Sequence, residues 1–127
     1  MVLHHAKRKR KATGGLYRKL RDKRKFEMGR TPALTKIKEN EKINDIRTRG
    51  NNKKLRALAL KTANVLNKET GKTSKAEIKK VLENKASRHY PRMGVMTKGA
   101  IIETDKGKAK ITNRPGQEGK INAVLVK

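Results

Sequence analysis

Residues 99–126 read GAIIETDKGKAKITNRPGQEGKINAVLV, with apolar residues in short runs cut by turn residues and no helical spacing. Asp105, Lys106 and Gly107 suit a tight hairpin with glycine at a positive φ, and Pro115-Gly116 fits the central positions of a type II turn. A three-strand meander over about 99–104, 108–113 and 120–126 follows. This stretch sets the expectation for the fold, because it is the clearest pattern in the chain.

Upstream, residues 43–66 (INDIRTRGNNKKLRALALKTANVL) place the turn cluster Gly50-Asn51-Asn52 between two segments with apolar content. That predicts a hairpin of 43–49 against 53–65. The second segment is ambiguous, since Leu55, Leu58, Ala59, Thr62 and Leu66 also fit a helical stripe. Residues 73–87 (TSKAEIKKVLENKAS) are sharper still. Ser74 with Glu77 forms a capping-box pattern, and Ile78, Val81 and Leu82 share one helical face, so local physics predicts a short helix over 75–86.

Residues 1–40 resist a core assignment. The helical phase begun at Leu16 and Leu20 is broken by Lys23 and Arg24, and Gly14-Gly15, Gly29 and Pro32 punctuate the rest. We read an extended, largely irregular arm over 1–40 and a core over 41–127. The composition sharpens this division: 36 Lys and Arg stand against 11 Asp and Glu in 127 residues, a formal charge of +25. Residues 1–30 alone hold 12 basic and 2 acidic groups, opening with the run Lys7, Arg8, Lys9, Arg10, Lys11. With 33% hydrophobic residues and three aromatics the core is small, and self-repulsion at this charge density calls for an outside anion.

Other classes of function find little support. There is no cysteine, so no disulfide framework or thiolate metal site, and a reducing compartment suits the chain. No apolar run reaches the length of a membrane span, and no apolar segment follows the basic N-terminus as a secretory signal requires. A soluble, intracellular protein is expected. No catalytic constellation is visible around His4, His5 or His89, and the His4-His5 pair lacks the further ligands a metal site needs. Glu39, Glu41 and Asp45 read as solvated or locally paired charges.

Function therefore belongs with the cations, and binding of a polyphosphate is the expectation. In the arm the candidates are Lys7, Arg8, Lys9, Arg10, Lys11, Arg18, Lys19, Arg21, Lys23, Arg24 and Lys25; in the hairpin they are Arg47, Arg49, Asn51, Lys53, Lys54 and Arg56. Arg47 and Arg49 alternate along the predicted strand and so share a face, with Thr48 on the other, where guanidinium forks bridge phosphate oxygens. Without Trp, and with one Phe, base stacking is a poor main mode, and no zinc-finger spacing or heptad-linked basic helix points to DNA reading. Folded RNA, recognised by shape and phosphate, fits best. A DNA-compacting, chromatin-like protein and an RNA chaperone are the rivals.

The segments KATGG (11–15), GRTPALTKI (29–37), IRTRGNNKKLRALALKTANV (46–65) and TKGAIIETDKGKAKITNRPGQEGKINAVLV (97–126) together resemble the archaeal form of the small-subunit ribosomal protein family numbered eight in the eukaryotic-archaeal series. Eukaryotic members carry a long central insertion that this chain lacks. Gly50-Asn51 stands where the family usually has Gly-Gly. The resemblance implies a mainly β protein with a compact six-stranded β-barrel-like core and a basic arm, in which residues 74–86 form a barrel strand with Ile78 and Val81 in or near the core. It adds Thr13, Gly14, Gly15, Gly29, Arg30, Thr35, Lys36, Thr48 and Gly50 to the RNA-contacting candidates. The implied partners are 16S-type ribosomal RNA and neighbouring small-subunit proteins in the cytoplasmic ribosome, with no enzymatic activity, cofactor, metal, small-molecule substrate, membrane or homo-oligomer.

Overall fold

The computed structural model describes residues 3–4, 10–18, 21–22 and 24–126, the first pair by backbone alone. The chain falls into two units, Met1–Pro32 and Ala33–Lys127. In the first, strand β1 (Leu3–His4) pairs antiparallel with β2 (Met28–Gly29), and one 3-10 turn spans Lys25–Glu27. Its described large apolar side chains, Leu16, Tyr17, Phe26 and Met28, are exposed. Dense like charge leaves nothing for them to pack into. The division falls after Pro32, and Thr35, Lys36 and Ile37 are tied into the second unit by backbone pairing.

The second unit contains β3 (Lys36–Ile37), β4 (Lys42–Arg47), β5 (Lys53–Leu60), β6 (Thr62–Leu66), β7 (Thr73–Glu83), β8 (Ile101–Thr104), β9 (Gly107–Ile111), a one-turn helix α1 (Pro115–Glu118) and β10 (Asn122–Leu125). The meander forms as anticipated: β8 and β9 join across Asp105-Lys106, with Thr104 paired to Gly107 at φ 119°, and β10 returns antiparallel to β9. The second turn differs. Pro115 opens α1 at a first-turn position where its missing N–H costs nothing, and the glycine in the left-handed region is Gly119, not Gly116.

Five strands close the barrel in the order β10-β6-β7-β8-β9, one fewer than the six expected. The difference arises at Lys61, where the segment predicted as one strand over 53–65 divides into β5 and β6. Whereas β6 enters the barrel, β5 pairs antiparallel with β4 and parallel with β3 in a separate three-stranded sheet. The helical alternative for this segment does not form. Closure comes from a parallel pairing of β10 with β6, Asn122 to Asn64 through Val124 to Leu66, backed by a side-chain hydrogen bond from Asn64 Nδ2 to Asn122 Oδ1 at 3.1 Å.

The core is aliphatic. Leu60, Val65, Ile78, Val81, Met96, Ile102, Ile111 and Ile121 are interleaved with Ala57, Ala63, Ala76, Ala100, Ala109 and Ala123. Small residues at inward positions let a few strands wrap a narrow interior without voids. Asn113 staples the β9–β10 connection: its Nδ2 donates to Lys120 O at 2.7 Å and Glu118 Oε2 at 3.1 Å, and its Oδ1 accepts from Asn122 N at 2.9 Å.

The helix expected over 75–86 is replaced by β7, the longest strand, as the family resemblance implied. The cause is visible in the register, which shifts between Ile78 and Lys80 in pairing with β8. A bulge inserts an extra residue, so Ile78 and Val81 both turn inward despite a spacing of three. That spacing imitates a helical stripe. Glu77 does not cap a helix; its Oε1 pairs with Lys61 Nζ at 2.7 Å across β6–β7, holding the Lys61 ammonium above its ordinary pKa.

Candidate nucleic-acid interface

The β4–β5 hairpin presents its cations at a tip defined by backbone geometry. Arg47 pairs with Lys53, Thr48 N donates to Asn52 O at 2.7 Å, the Thr48 hydroxyl donates to the same oxygen at 2.9 Å, and Asn52 Nδ2 reaches Arg49 O at 3.3 Å. Gly50 and Asn51 both take positive φ, 72° and 58°. Asn tolerates that region better than other L-residues, which explains how Asn51 serves where the resembled family usually has a second glycine.

Arg47 and Arg49 do not share a strand face. The strand ends at Arg47 and Arg49 belongs to a 3-10 turn, so their side chains are not related by strand alternation. Both remain exposed at the tip with Gly50, Asn51, Lys53 and Lys54. Asp45 pairs with Lys53 at 3.2 Å, and Lys54 Nζ donates to Gln117 Oε1 at 3.3 Å. Arg56, half-buried on β5, is less open than the tip.

In the first unit, Lys7, Arg8, Lys9, Lys19 and Lys23 lie outside the described residues. KATGG forms a closed turn: Lys11 N donates to Gly15 O at 2.8 Å, Gly14 N to Lys11 O at 3.0 Å, and Arg10 Nη1 to Gly14 O at 2.8 Å. Gly14 sits at φ 85° with open space where a Cβ would be, so glycine is required there by conformation and not by crowding. Thr13, Gly14, Gly15 and Arg18 are exposed. Further on, the guanidinium carbons of Arg21 and Arg24 lie 5.8 and 6.0 Å from the Phe26 ring centre. Glu27 accepts from Arg24 N at 3.1 Å and Arg21 Nη2 at 2.6 Å, and these bonds hold its carboxyl below the usual range. Lys25 and Arg30 are exposed, and Gly29 is half-buried in β2.

Thr35 is the one buried residue among the described contact candidates. It is 2% exposed, and its hydroxyl donates to Ala57 O at 2.6 Å, so the side chain is spent inside the fold. Lys36 is half-buried in β3, paired with Ala59 on one side and bridged to Val95 on the other. The bridge brings the β7–β8 connection, residues 84–100, against β3. That connection exposes Lys85, Arg88, His89 and Arg92, which sequence reasoning passed over because they are spaced out among apolar residues. The signal that would have found them is an absence of acid.

With 11 acids for 36 bases, most cations must find a counter-charge outside the chain. Among the described residues the ion pairs Arg21–Glu27, Lys53–Asp45, Lys61–Glu77 and Lys80–Glu103 are on or near the surface. Glu41, one of the junction acids, accepts from the Thr62 hydroxyl at 3.0 Å and Lys61 N at 3.4 Å. No group of three or more metal-ligating side chains occurs among the described residues, and none of their helices is long and apolar enough to cross a membrane.

The chain matches the family described as Ribosomal protein S8e over residues 4–126. It is similar to the small ribosomal subunit protein eS8 of Methanocorpusculum labreanum, 51% identical over 125 residues that cover 98% of this chain and 99% of that protein. The protein of the same name from Methanococcus aeolicus is 45% identical over 126 residues, 99% and 98% of the two chains. That of Nanoarchaeum equitans is 48% identical over 114 residues, 90% and 89%.

Proposed function

The chain belongs to the Ribosomal protein S8e family, whose members are structural and not enzymatic, and from that premise we propose that it holds folded 16S-type ribosomal RNA in the small subunit through phosphate contacts. The carrying observation is the excess of cations over acids, with exposed cations at the KATGG turn and the β4–β5 tip among them. In this reading Arg10, Lys11, Arg18, Arg21, Arg24, Lys25 and Arg30 act from the first unit, and Lys7, Arg8, Lys9, Lys19 and Lys23, from the same stretch of sequence, add their charge. Thr13, Gly14 and Gly15, with Gly29, let backbone pass close to RNA. At the tip, Arg47, Thr48, Arg49, Gly50, Asn51, Lys53 and Lys54 face phosphates, with Arg56 at the margin and Lys36 at the far end of β5, beside Ala59. Neighbouring small-subunit proteins complete the setting in the cytoplasmic ribosome.

Phosphate neutralisation releases counterions, which gives affinity and orientation without base reading. Binding is measured in competition between folded small-subunit RNA, duplex DNA and unstructured RNA, alongside co-sedimentation with 30S particles. Preference for the folded RNA and recovery with the particles is the expected result. Equal affinity for duplex DNA would favour a DNA-compacting role, and preference for unstructured RNA a chaperone.

A further inference from the structure

Resting on that RNA-binding reading, we propose that the β7–β8 connection is a second docking element for RNA phosphates, with Arg88 and Arg92 as its contacts. Between Glu83 and Glu103 the sequence has no acid, yet it carries Lys85, Arg88, Arg92 and Lys98 together with His89. All five side chains are exposed. The same one-signed pattern marks residues 46–68, the stretch that holds the β4–β5 tip, where seven cations stand with no acid.

The loop is also built to hold its shape. Tyr90 N donates to Ser87 O at 3.2 Å, Met93 N to Tyr90 O at 3.1 Å, Gly94 N to Pro91 O at 3.0 Å and Val95 N to Tyr90 O at 3.0 Å. At its root, buried Asn84 donates to Val95 O at 3.1 Å and accepts from Ala86 N at 3.0 Å and the Thr97 hydroxyl at 2.9 Å. Val95 and Met96 anchor the returning chain in the interior. A loop folded in advance loses little entropy on binding, so its charges act at full strength.

Its place in the fold adds a second argument. Ile37 N donates to Gly94 O at 3.2 Å and Met96 N to Thr35 O at 2.8 Å, so the loop is bonded to the strand that carries Lys36, with Lys38 next to it. The loop is thus joined to a strand that itself carries a cation. Arg88 Nε lies 3.4 Å from His89 Nε2, a contact in which the imidazole nitrogen accepts. The terminal Nη edge of Arg88 is then the part available for a two-point bond to a phosphate.

The test uses the full-length chain, R88Q/R92Q beside the wild type and R47Q/R49Q, binding a 16S-type RNA transcript from about 50 to about 200 mM salt. If each arginine meets one phosphate, the slope of log affinity against log salt becomes shallower by roughly 1.4 to 1.8. The wild type's advantage over R88Q/R92Q therefore shrinks roughly 7- to 12-fold across that fourfold range. R88K/R92K keeps the charges and retains the wild-type slope, and circular dichroism is unchanged in both. A wild-type slope in R88Q/R92Q overturns the proposal while leaving the wider reading intact if R47Q/R49Q is altered. Unchanged RNA binding with loss of R88Q/R92Q from reconstituted subunits also overturns it, assigning the loop to a protein neighbour. Failure of the wild type to bind the transcript removes both.

Discussion

Replacing Gly119 by alanine perturbs the support of the β4–β5 hairpin at one point. Gly119 caps α1 at φ 71° and ψ 3°, with its N–H on Pro115 O at 3.1 Å. A Cβ there would lie 2.7 Å from Leu55 Cβ and 3.4 Å from Ile43 Cγ2. The left-handed conformation costs an alanine about 1–2 kcal/mol. Forcing a methyl against a strand Cβ adds about 1–3 kcal/mol, since a Cβ moves only with its backbone. The sum is a destabilisation of about 2–5 kcal/mol, read from urea unfolding of the full chain by far-ultraviolet circular dichroism. G71A is the control: Gly71 is at φ 66° and a methyl added there meets nothing within 4 Å, so the conformational cost stands alone at about 1–2 kcal/mol. L55A should not rescue G119A, because alanine retains the offending Cβ. If G119A costs no more than G71A, or if L55A restores it, the close approach of α1 to β5 is not what makes glycine necessary.

Three further outcomes are expected. Removing residues 1–32 leaves every member of the core cluster in place, so unfolding free energy changes by less than about 0.5 kcal/mol while the salt slope of RNA binding flattens with the loss of 12 basic residues; equal affinity for RNA would show the arm is not a main anchor. R47Q/R49Q flattens that slope by roughly 1–2 units without altering circular dichroism, and an unchanged slope would place both arginines in solvent. T35V removes the hydroxyl that bonds the Ala57 carbonyl and costs about 1–3 kcal/mol, whereas T35S keeps the bond and costs less; a stable T35V that binds RNA poorly would make Thr35 a contact.

Charge and turn chemistry are local properties, and they could be read without coordinates. The cation excess depends on side-chain identity alone, and the C-terminal strands were legible because Asp105-Lys106-Gly107 breaks the chain whatever lies around it. The β4–β5 hairpin was legible for the same reason. Pairings between distant segments were not. Closure of the barrel by β10 on β6 brings Asn122 to Asn64, and no neighbouring residue encodes that meeting. The strand β7 hid behind a helical pattern because its bulge is a response to pairing with β8, and the bulge sets Ile78 and Val81 three apart on one buried side. Thr35 looks like a polar contact residue until Ala57 is placed beside it, and the cations of residues 85–92 look scattered until Asn84, Gly94 and Val95 draw their loop onto β3. Local chemistry thus set the charge and the turns, whereas burial and register, which depend on what arrives from elsewhere in the chain, chose which side chains remain exposed.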